Sequence, residues 1–246
     1  MKQSIFRVIS NRMVAKNTFE MKLSGDNSHI TAPGQFVNIR LDGFYLRRPI
    51  SVCDVEGNIL TLIYKVVGKG TDKMSEMIGG ESLDILTGLG NGYDLEKSGD
   101  RPLLVGGGVG LPPMYLLAKE LSKAGKKVKV IAGFGSADEV FYKDEFENLG
   151  VSFTVTTVDG SMGIKGFVTD ALESVGDYSS IMTCGPEPML KALYKATDCP
   201  AQFSFEERMG CGFGACMGCS CKTVTGYKRI CKDGPILCRE EILWQK

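Results

Sequence analysis

The chain has 246 residues, 43% apolar and 24% charged, with 29 basic and 29 acidic side chains. This balance implies a packed core, in one large domain or two small ones with an appendage, and zero net charge leaves no basic footprint for nucleic acid or an anionic membrane. The opening Met-Lys-Gln-Ser-Ile-Phe-Arg-Val-Ile-Ser lacks a sustained apolar run, and no stretch reaches the roughly 18–20 apolar residues that span a bilayer, so a soluble, cytoplasmic chain is expected.

The first hundred residues alternate at short range. Strands are expected at Ile5 to Ser10, Thr18 to Leu23, Gln35 to Leu41, Ile50 to Val55 and Leu60 to Val66, separated by turns such as Pro33-Gly34 and Glu56-Gly57-Asn58. Short punctuated strands suggest an antiparallel barrel or sandwich, with one short helix around Thr71 to Ile78. After Asp100 the pattern changes to strand–helix alternation. Pro102 to Val105 is an apolar run ending in glycines, and Pro112-Pro113 opens a helix with Met114, Leu117, Ala118 and Leu121 on one face. Strands at Val128 to Gly133, Val151 to Val158 and Ile181 to Cys184 alternate with helices at Glu139 to Leu149, Phe167 to Val175 and Pro188 to Ala196. Such alternation implies a parallel sheet covered on both faces. From about Ser204 the chain is glycine- and cysteine-rich and too small to fold on apolar burial alone. The expected division is a barrel domain over 1–99, an α/β nucleotide-binding domain over 100–203 and a cysteine module over 204–246.

Nine cysteines are present, and six of them fall between Cys211 and Cys238. An odd, clustered set without a secretory segment argues for metal binding rather than a disulfide framework. Cys211, Cys216 and Cys219 have the C-x4-C-x2-C spacing of a plant-type [2Fe–2S] site, with Gly212, Gly214 and Gly218 allowing backbone N–H groups to approach the sulfurs. Four thiolates also suit zinc, although zinc sites favour paired short spacings and only one occurs here. The fourth ligand must come from Cys221, Cys231 or Cys238. Cys221 would strain a chelate beside Cys219, Cys231 on a turn-flanked strand is favoured, and Cys238 is read as a core thiol.

Other segments carry phosphate chemistry. In Leu46-Arg47-Arg48-Pro49-Ile50-Ser51, a guanidinium and a hydroxyl three positions apart suit a pyrophosphate, although a surface arginine pair before a strand would look the same. Lys69-Gly70-Thr71 near a helix start adds backbone donors. Gly106-Gly107-Gly108-Val109-Gly110 lies between strand and helix, the context for dinucleotide phosphates, but is not a G-x-G-x-x-G. Cys184-Gly185-Pro186 ends a later strand at the same predicted sheet edge, where Cys184 would border a nicotinamide or be a small buried residue. The acidic Ser136-Ala137-Asp138-Glu139, without an arginine, favours NAD over NADP. His29, the single histidine, falls in a predicted turn, and no hydrolase constellation stands out.

Pro33-Gly34-Gln35-Phe36, Arg48-Pro49-Ile50-Ser51, Gly70-Thr71, Gly106–Gly110 and Cys184-Gly185-Pro186, in this order, resemble the ferredoxin reductase-like flavoprotein family over nearly the full length. More narrowly, Met-Gly-Cys-Gly-Phe-Gly-Ala-Cys-Met-Gly-Cys followed by Ile-Cys-Lys-Asp-Gly-Pro resembles the electron-transfer subunits of NAD-dependent (class 1B) dihydroorotate dehydrogenases. The resemblance implies FAD on the barrel, contacted at Arg48, Pro49, Ile50, Ser51, at Ile63, Tyr64, Lys65 and at Gly70 and Thr71. It implies cluster ligation by Cys211, Cys216, Cys219 and Cys231. It further implies an FMN-containing catalytic partner that oxidises dihydroorotate to orotate, two copies of each chain, and electrons passing from FMN through the cluster and FAD to NAD+ in pyrimidine biosynthesis. Two other readings share many of these motifs: a related NAD(P)H:acceptor reductase serving ferredoxin or a sulfur compound, and a zinc-stapled nucleotide-binding regulator.

Overall fold

The computed structural model describes residues 1–244. Six strands close into an antiparallel barrel: β1 (Lys2–Ala15), β2 (Thr18–Ser24), β3 (Phe36–Arg40), β4 (Arg48–Glu56), β5 (Ile59–Lys65) and β6 (Ser82–Leu89), in the order β1-β2-β5-β4-β3-β6. Closure leaves no exposed sheet edge. The inward faces bury Phe6, Met21, Leu23, Val37, Ile39, Leu60, Leu62 and Ile85 in one apolar cluster. The first strand runs well beyond the expected Ile5 to Ser10, because it pairs with β6 through its first half and with β2 through its second. The sequence reading assigned no strand at β6. The expected helix at Thr71 to Ile78 starts two residues earlier, as α1 (Lys69–Ser75).

Seven strands form the second sheet, in the order β10-β9-β8-β7-β11-β12-β15. They are β7 (Pro102–Gly107), β8 (Lys129–Phe134), β9 (Ser152–Thr157), β10 (Ile164–Lys165), β11 (Ser180–Cys184), β12 (Ala201–Ser204) and β15 (Ile236–Cys238). All neighbours are parallel except β15, which runs antiparallel to β12. β7 is buried at every position, as a strand covered on both faces must be. α2 (Pro112–Lys123) buries the expected stripe of Met114, Leu117, Ala118 and Leu121. α3 (Lys143–Asn148) and α4 (Glu187–Ala196) follow the next strands, α3 being shorter than the expected Glu139 to Leu149. The helix expected over Phe167 to Val175 is only a single 3₁₀ turn at Val168–Ala171.

The C-terminal segment adds a hairpin of β13 (Ser220–Thr223) and β14 (Gly226–Arg229), then the one-turn helix α5 (Ile230–Asp233), and returns through β15 to the parallel sheet. Cys219, Ile230, Cys231 and Leu237 share an apolar cluster with Leu103 and Val105 of β7. The segment thus borrows the core of its neighbour. Across the barrel–sheet seam, Lys119 pairs with Asp54 at 3.0 Å, Lys65 with Glu139 at 2.7 Å and Lys16 with Asp138 at 2.9 Å. In the same seam the Tyr142 hydroxyl donates to the buried Glu20 at 2.6 Å.

Candidate redox site

β7 and β11 are adjacent, with Gly106 opposite Cys184, and the chain leaves β7 toward β8 on one side and β11 toward β12 on the other. This reversal of strand order is where open parallel sheets bind ligands. A cleft of about 340 Å³ lies there, between the barrel and the sheet. Pro49, Ser51 and Lys65 line it from the barrel, and Gly107, Gly108, Gly110, Cys184 and Gly185 line it from the sheet. Side chains alternate along a strand, so Pro49 and Ser51 share the cleft face of β4 while Ile50 packs on the barrel core. Gly106 is buried one residue before the cleft glycines, under Leu111.

Arg48 and Gly70, 22 positions apart in sequence, meet at the barrel mouth. A Cβ at Gly70 would lie 2.1 Å from Arg48 Nε, so only glycine lets the guanidinium cross here. The group also lies 4.5 Å above the Phe44 ring. The Thr71 hydroxyl accepts from the Val67 N–H at 3.0 Å and so shapes the turn before α1. Ile63 and Tyr64 are buried, and Tyr64 donates its hydroxyl to Asn11 at 2.9 Å, so their side chains stand outside the cleft and only their backbones are available to a ligand. Burial pushes the Cys184 thiol up to about 12, which keeps it neutral at the cleft wall.

A second pocket of about 520 Å³ continues from the first over Gly107, Gly108 and Pro186 and reaches Gly133, Glu139 and Thr156. The Thr156 hydroxyl is fully buried and has no hydrogen-bond partner, which marks a place for a polar ligand group. The ammonium of Lys65 and the Gly135 N–H hold the Glu139 carboxylate below its usual range despite partial burial. Its neighbour Asp138 is taken up by Ser136 and Lys16.

The four thiols singled out in sequence form two local pairs through N–H···S bonds. Cys211 Sγ accepts from the N–H groups of Ala215 at 3.2 Å and Cys216 at 3.4 Å, while Cys216 Sγ accepts from Cys211 and Gly218, each at 3.5 Å. Cys219 Sγ accepts from the Cys231 N–H at 3.4 Å. Burial opposes ionisation of Cys211, but the N–H groups of Phe213, Cys216 and Ala215 outweigh it and hold the thiol at about 6. That is thiolate at neutral pH, the form that binds metal. Burial, followed by pairing with Cys219, raises Cys231 to about 12, so metal binding there must displace a proton. Cys231 lies on α5, not on the turn-flanked strand expected from sequence, because Arg229 and Asp233 close one helical turn with bonds of 2.9 to 3.1 Å. Arg229 also donates to the Gly214 carbonyl at 2.9 Å and ties α5 to the loop. Among the described residues no three cysteine, histidine or acidic side chains are gathered around one point. Cys211 with Cys216 and Cys219 with Cys231 nonetheless form two local thiol pairs, the number that the two irons of a binuclear cluster take.

Cys238 stands apart, within 3.5 Å of Lys97 Nζ, and Cys221 is half-buried on β13. Asn38, Arg229 and Thr156 carry no local motif because their roles depend on distant contacts, and Glu206 and Glu207, also without a sequence signal, line the first cleft.

Comparison with known proteins agrees with this geometry. Residues 206–243 match the family described as the iron–sulfur cluster binding domain of dihydroorotate dehydrogenase B, and residues 104–195 match the oxidoreductase NAD-binding domain. The electron transfer subunit of dihydroorotate dehydrogenase B (NAD(+)) from Bacillus pumilus is 45% identical, covering 98% of each chain. The chain belongs to this family. The corresponding subunit from Fusobacterium nucleatum is 44% identical over 96% of each chain. A solved structure of NADH-dependent reduced ferredoxin–NADP oxidoreductase, described for flavin-based electron bifurcation, superposes with a TM-score of 0.88 at 31% identity, covering 97% of this chain and 90% of that one. Like other members of its family, the chain is an oxidoreductase component, and these relatives are described as the electron transfer subunit of a larger enzyme. No helix among the described residues is long and apolar enough to cross a membrane.

Proposed function

We propose that this chain passes electrons from an FMN-containing dihydroorotate dehydrogenase catalytic subunit through a [2Fe–2S] cluster and FAD to NAD+, in a cytoplasmic assembly with two copies of each chain. When bound, the cluster carries single electrons, and the flavin converts them to the hydride that NAD+ accepts. The observation that carries this reading is the juxtaposition of a two-pair thiol site with a cleft at the sheet's switch point. Residues 1–99 supply the flavin surface, 100–203 the nucleotide surface and 204–246 the cluster ligands.

Arg48 neutralises the FAD pyrophosphate, with Gly70 and Thr71 alongside and Pro49, Ser51 and Lys65 facing the flavin. Ile50, Ile63 and Tyr64 serve through backbone atoms. Gly107, Gly108 and Gly110 let the NAD phosphates approach the sheet edge while Gly106 makes room for Leu111 behind them, Cys184 and Gly185 border the nicotinamide, and Thr156 and Glu139 hold the far half. A carboxylate at Glu139 accepts from a ribose hydroxyl and repels a 2′-phosphate, so it selects NAD. Cys211, Cys216, Cys219 and Cys231 hold the cluster.

Co-expression with the catalytic subunit, then co-purification and flavin, iron and sulfide analysis, tests the assignment. The expected result is FMN, FAD and a binuclear cluster in one complex that reduces NAD+ only when dihydroorotate is supplied. A complete complex that fails to do so would refute it. The 31% identity to the ferredoxin–NADP oxidoreductase favours a second reading, NAD(P)H:acceptor reduction, which predicts ferredoxin-dependent turnover without dihydroorotate.

A further inference from the structure

We propose that Asn38 is a positioning residue for electron transfer, its carboxamide setting the cluster loop against the flavin cleft. This inference rests on the functional reading above.

Asn38 lies on β3 and is 1% exposed. Its cross-strand partner is Pro49, and Phe36 sits two residues back on the same face. Both neighbours line the cleft. From this position Asn38 Nδ2 donates to the backbone carbonyl of the thiol ligand Cys211 at 3.4 Å, bridging 173 positions of sequence. Gly212, the next residue of the loop, lies directly over the same amide. A Cβ there would fall 2.3 Å from Nδ2, and its φ of +76° already favours glycine. Among the described residues this is the barrel's hydrogen bond to the segment 211–218, whereas Arg229 grips Gly214 from the module's own side. The loop is therefore held between two clamps, and only the Asn38 clamp refers it to the flavin surface.

A packing role alone does not explain an amide here. The flanking Val37 and Ile39 are fully buried and apolar, and an aliphatic residue would avoid the desolvation cost of a buried carboxamide. That cost is only partly met, since Asn38 Oδ1 is buried without a partner. A polar group kept at such a cost, between the surfaces assigned to two electron carriers, fits a role in fixing their separation. Outer hydrogen bonds to ligand residues orient a metal site in the same way.

The test uses the complex of both subunits, comparing wild type with Asn38→Leu and Asn38→Ala. In both variants, iron, sulfide and flavin contents and flavin reduction by NADH should match wild type. Cluster reduction by the NADH-reduced flavin, followed by stopped-flow, should slow by ~10–100-fold, the range for loss of an outer contact to a metal site. The electron paramagnetic resonance signal of the reduced cluster should shift, and amides 211–216 should exchange hydrogen faster. Unchanged cluster reduction and spectrum in fully loaded Asn38→Leu and Asn38→Ala would overturn the proposal. Loss of iron from both Asn38 variants would overturn it in favour of a role in retaining the cluster. A wild-type complex without iron or flavin would instead refute the functional reading.

Discussion

Removing one hydroxyl at the barrel–sheet seam, by Tyr142→Phe, tests the buried bond to Glu20, the hydroxyl's charged partner beside the Cys53 thiol. The hydroxyl donates at 2.6 Å to Oε2 of Glu20, whose other oxygen takes Arg12 Nε at 2.8 Å. The Glu20 side chain is 3% exposed, so water cannot replace the lost donor. Burial pushes the Glu20 carboxyl up, but Tyr142 and Arg12 together outweigh it and leave the group below its usual range. Hydrogen bonds to charged groups contribute about 1.5–3 kcal/mol. For a chain of this size each kcal/mol moves the midpoint by roughly 2–4 °C, so a loss of about 3–12 °C is expected. The sign of the pH dependence also follows. A carboxyl whose folded pKa is depressed contributes stability above its unfolded pKa and loses it as pH falls through the folded value. Without Tyr142 the folded pKa rises, so the variant should lose relative stability chiefly at neutral pH and converge on wild type in acid. Differential scanning fluorimetry of the flavin-loaded protein from neutral to acidic pH measures both effects. A midpoint equal to wild type at neutral pH, or a difference that widens in acid, would rule out a stabilising Tyr142–Glu20 bond.

Cys231→Ser should lose acid-labile sulfide and iron and weaken partner docking, while Cys238→Ser keeps both; normal iron in Cys231→Ser would overturn the ligand set. Arg48→Ala should weaken FAD binding by about 10–100-fold, the equivalent of one charge-assisted bond, seen as flavin lost on gel filtration. Glu139→Gln should raise kcat/KM for NADP(H) relative to NAD(H) by roughly tenfold by removing a charge from the ribose end of the pocket; an unchanged ratio in steady-state assays would place selection elsewhere.

Much of the site was legible because its chemistry is local. The C-x4-C-x2-C loop places its own N–H groups on its own sulfurs, as the bonds to Cys211 and Cys216 show. The glycine run between strand and helix likewise lies at the cleft. Less was legible where the surroundings decide. Ile63 and Tyr64 stand next to Lys65 in sequence, yet Tyr64 packs in the barrel core and Ile63 in the cluster shared with the parallel-sheet domain, leaving Lys65 in the cleft. The expected helix at 167–175 shortens to one turn, with Val168 and Ala171 buried against the sheet.

The order of barrel, parallel sheet and thiol loop is legible locally, because hydrophobic period, turn residues and ligand spacing act over a few residues. Which distant groups share the site depends on the folded chain. Cys231 reaches Cys219 through a one-turn helix, Arg48 crosses Gly70, and β15 ties the cysteine segment into the parallel sheet. Asn38 meets Cys211 for the same reason: closing the barrel and pairing β12 with β15 bring β3 under the loop. Contacts across such separations depend on chain closure and burial, which no local pattern records.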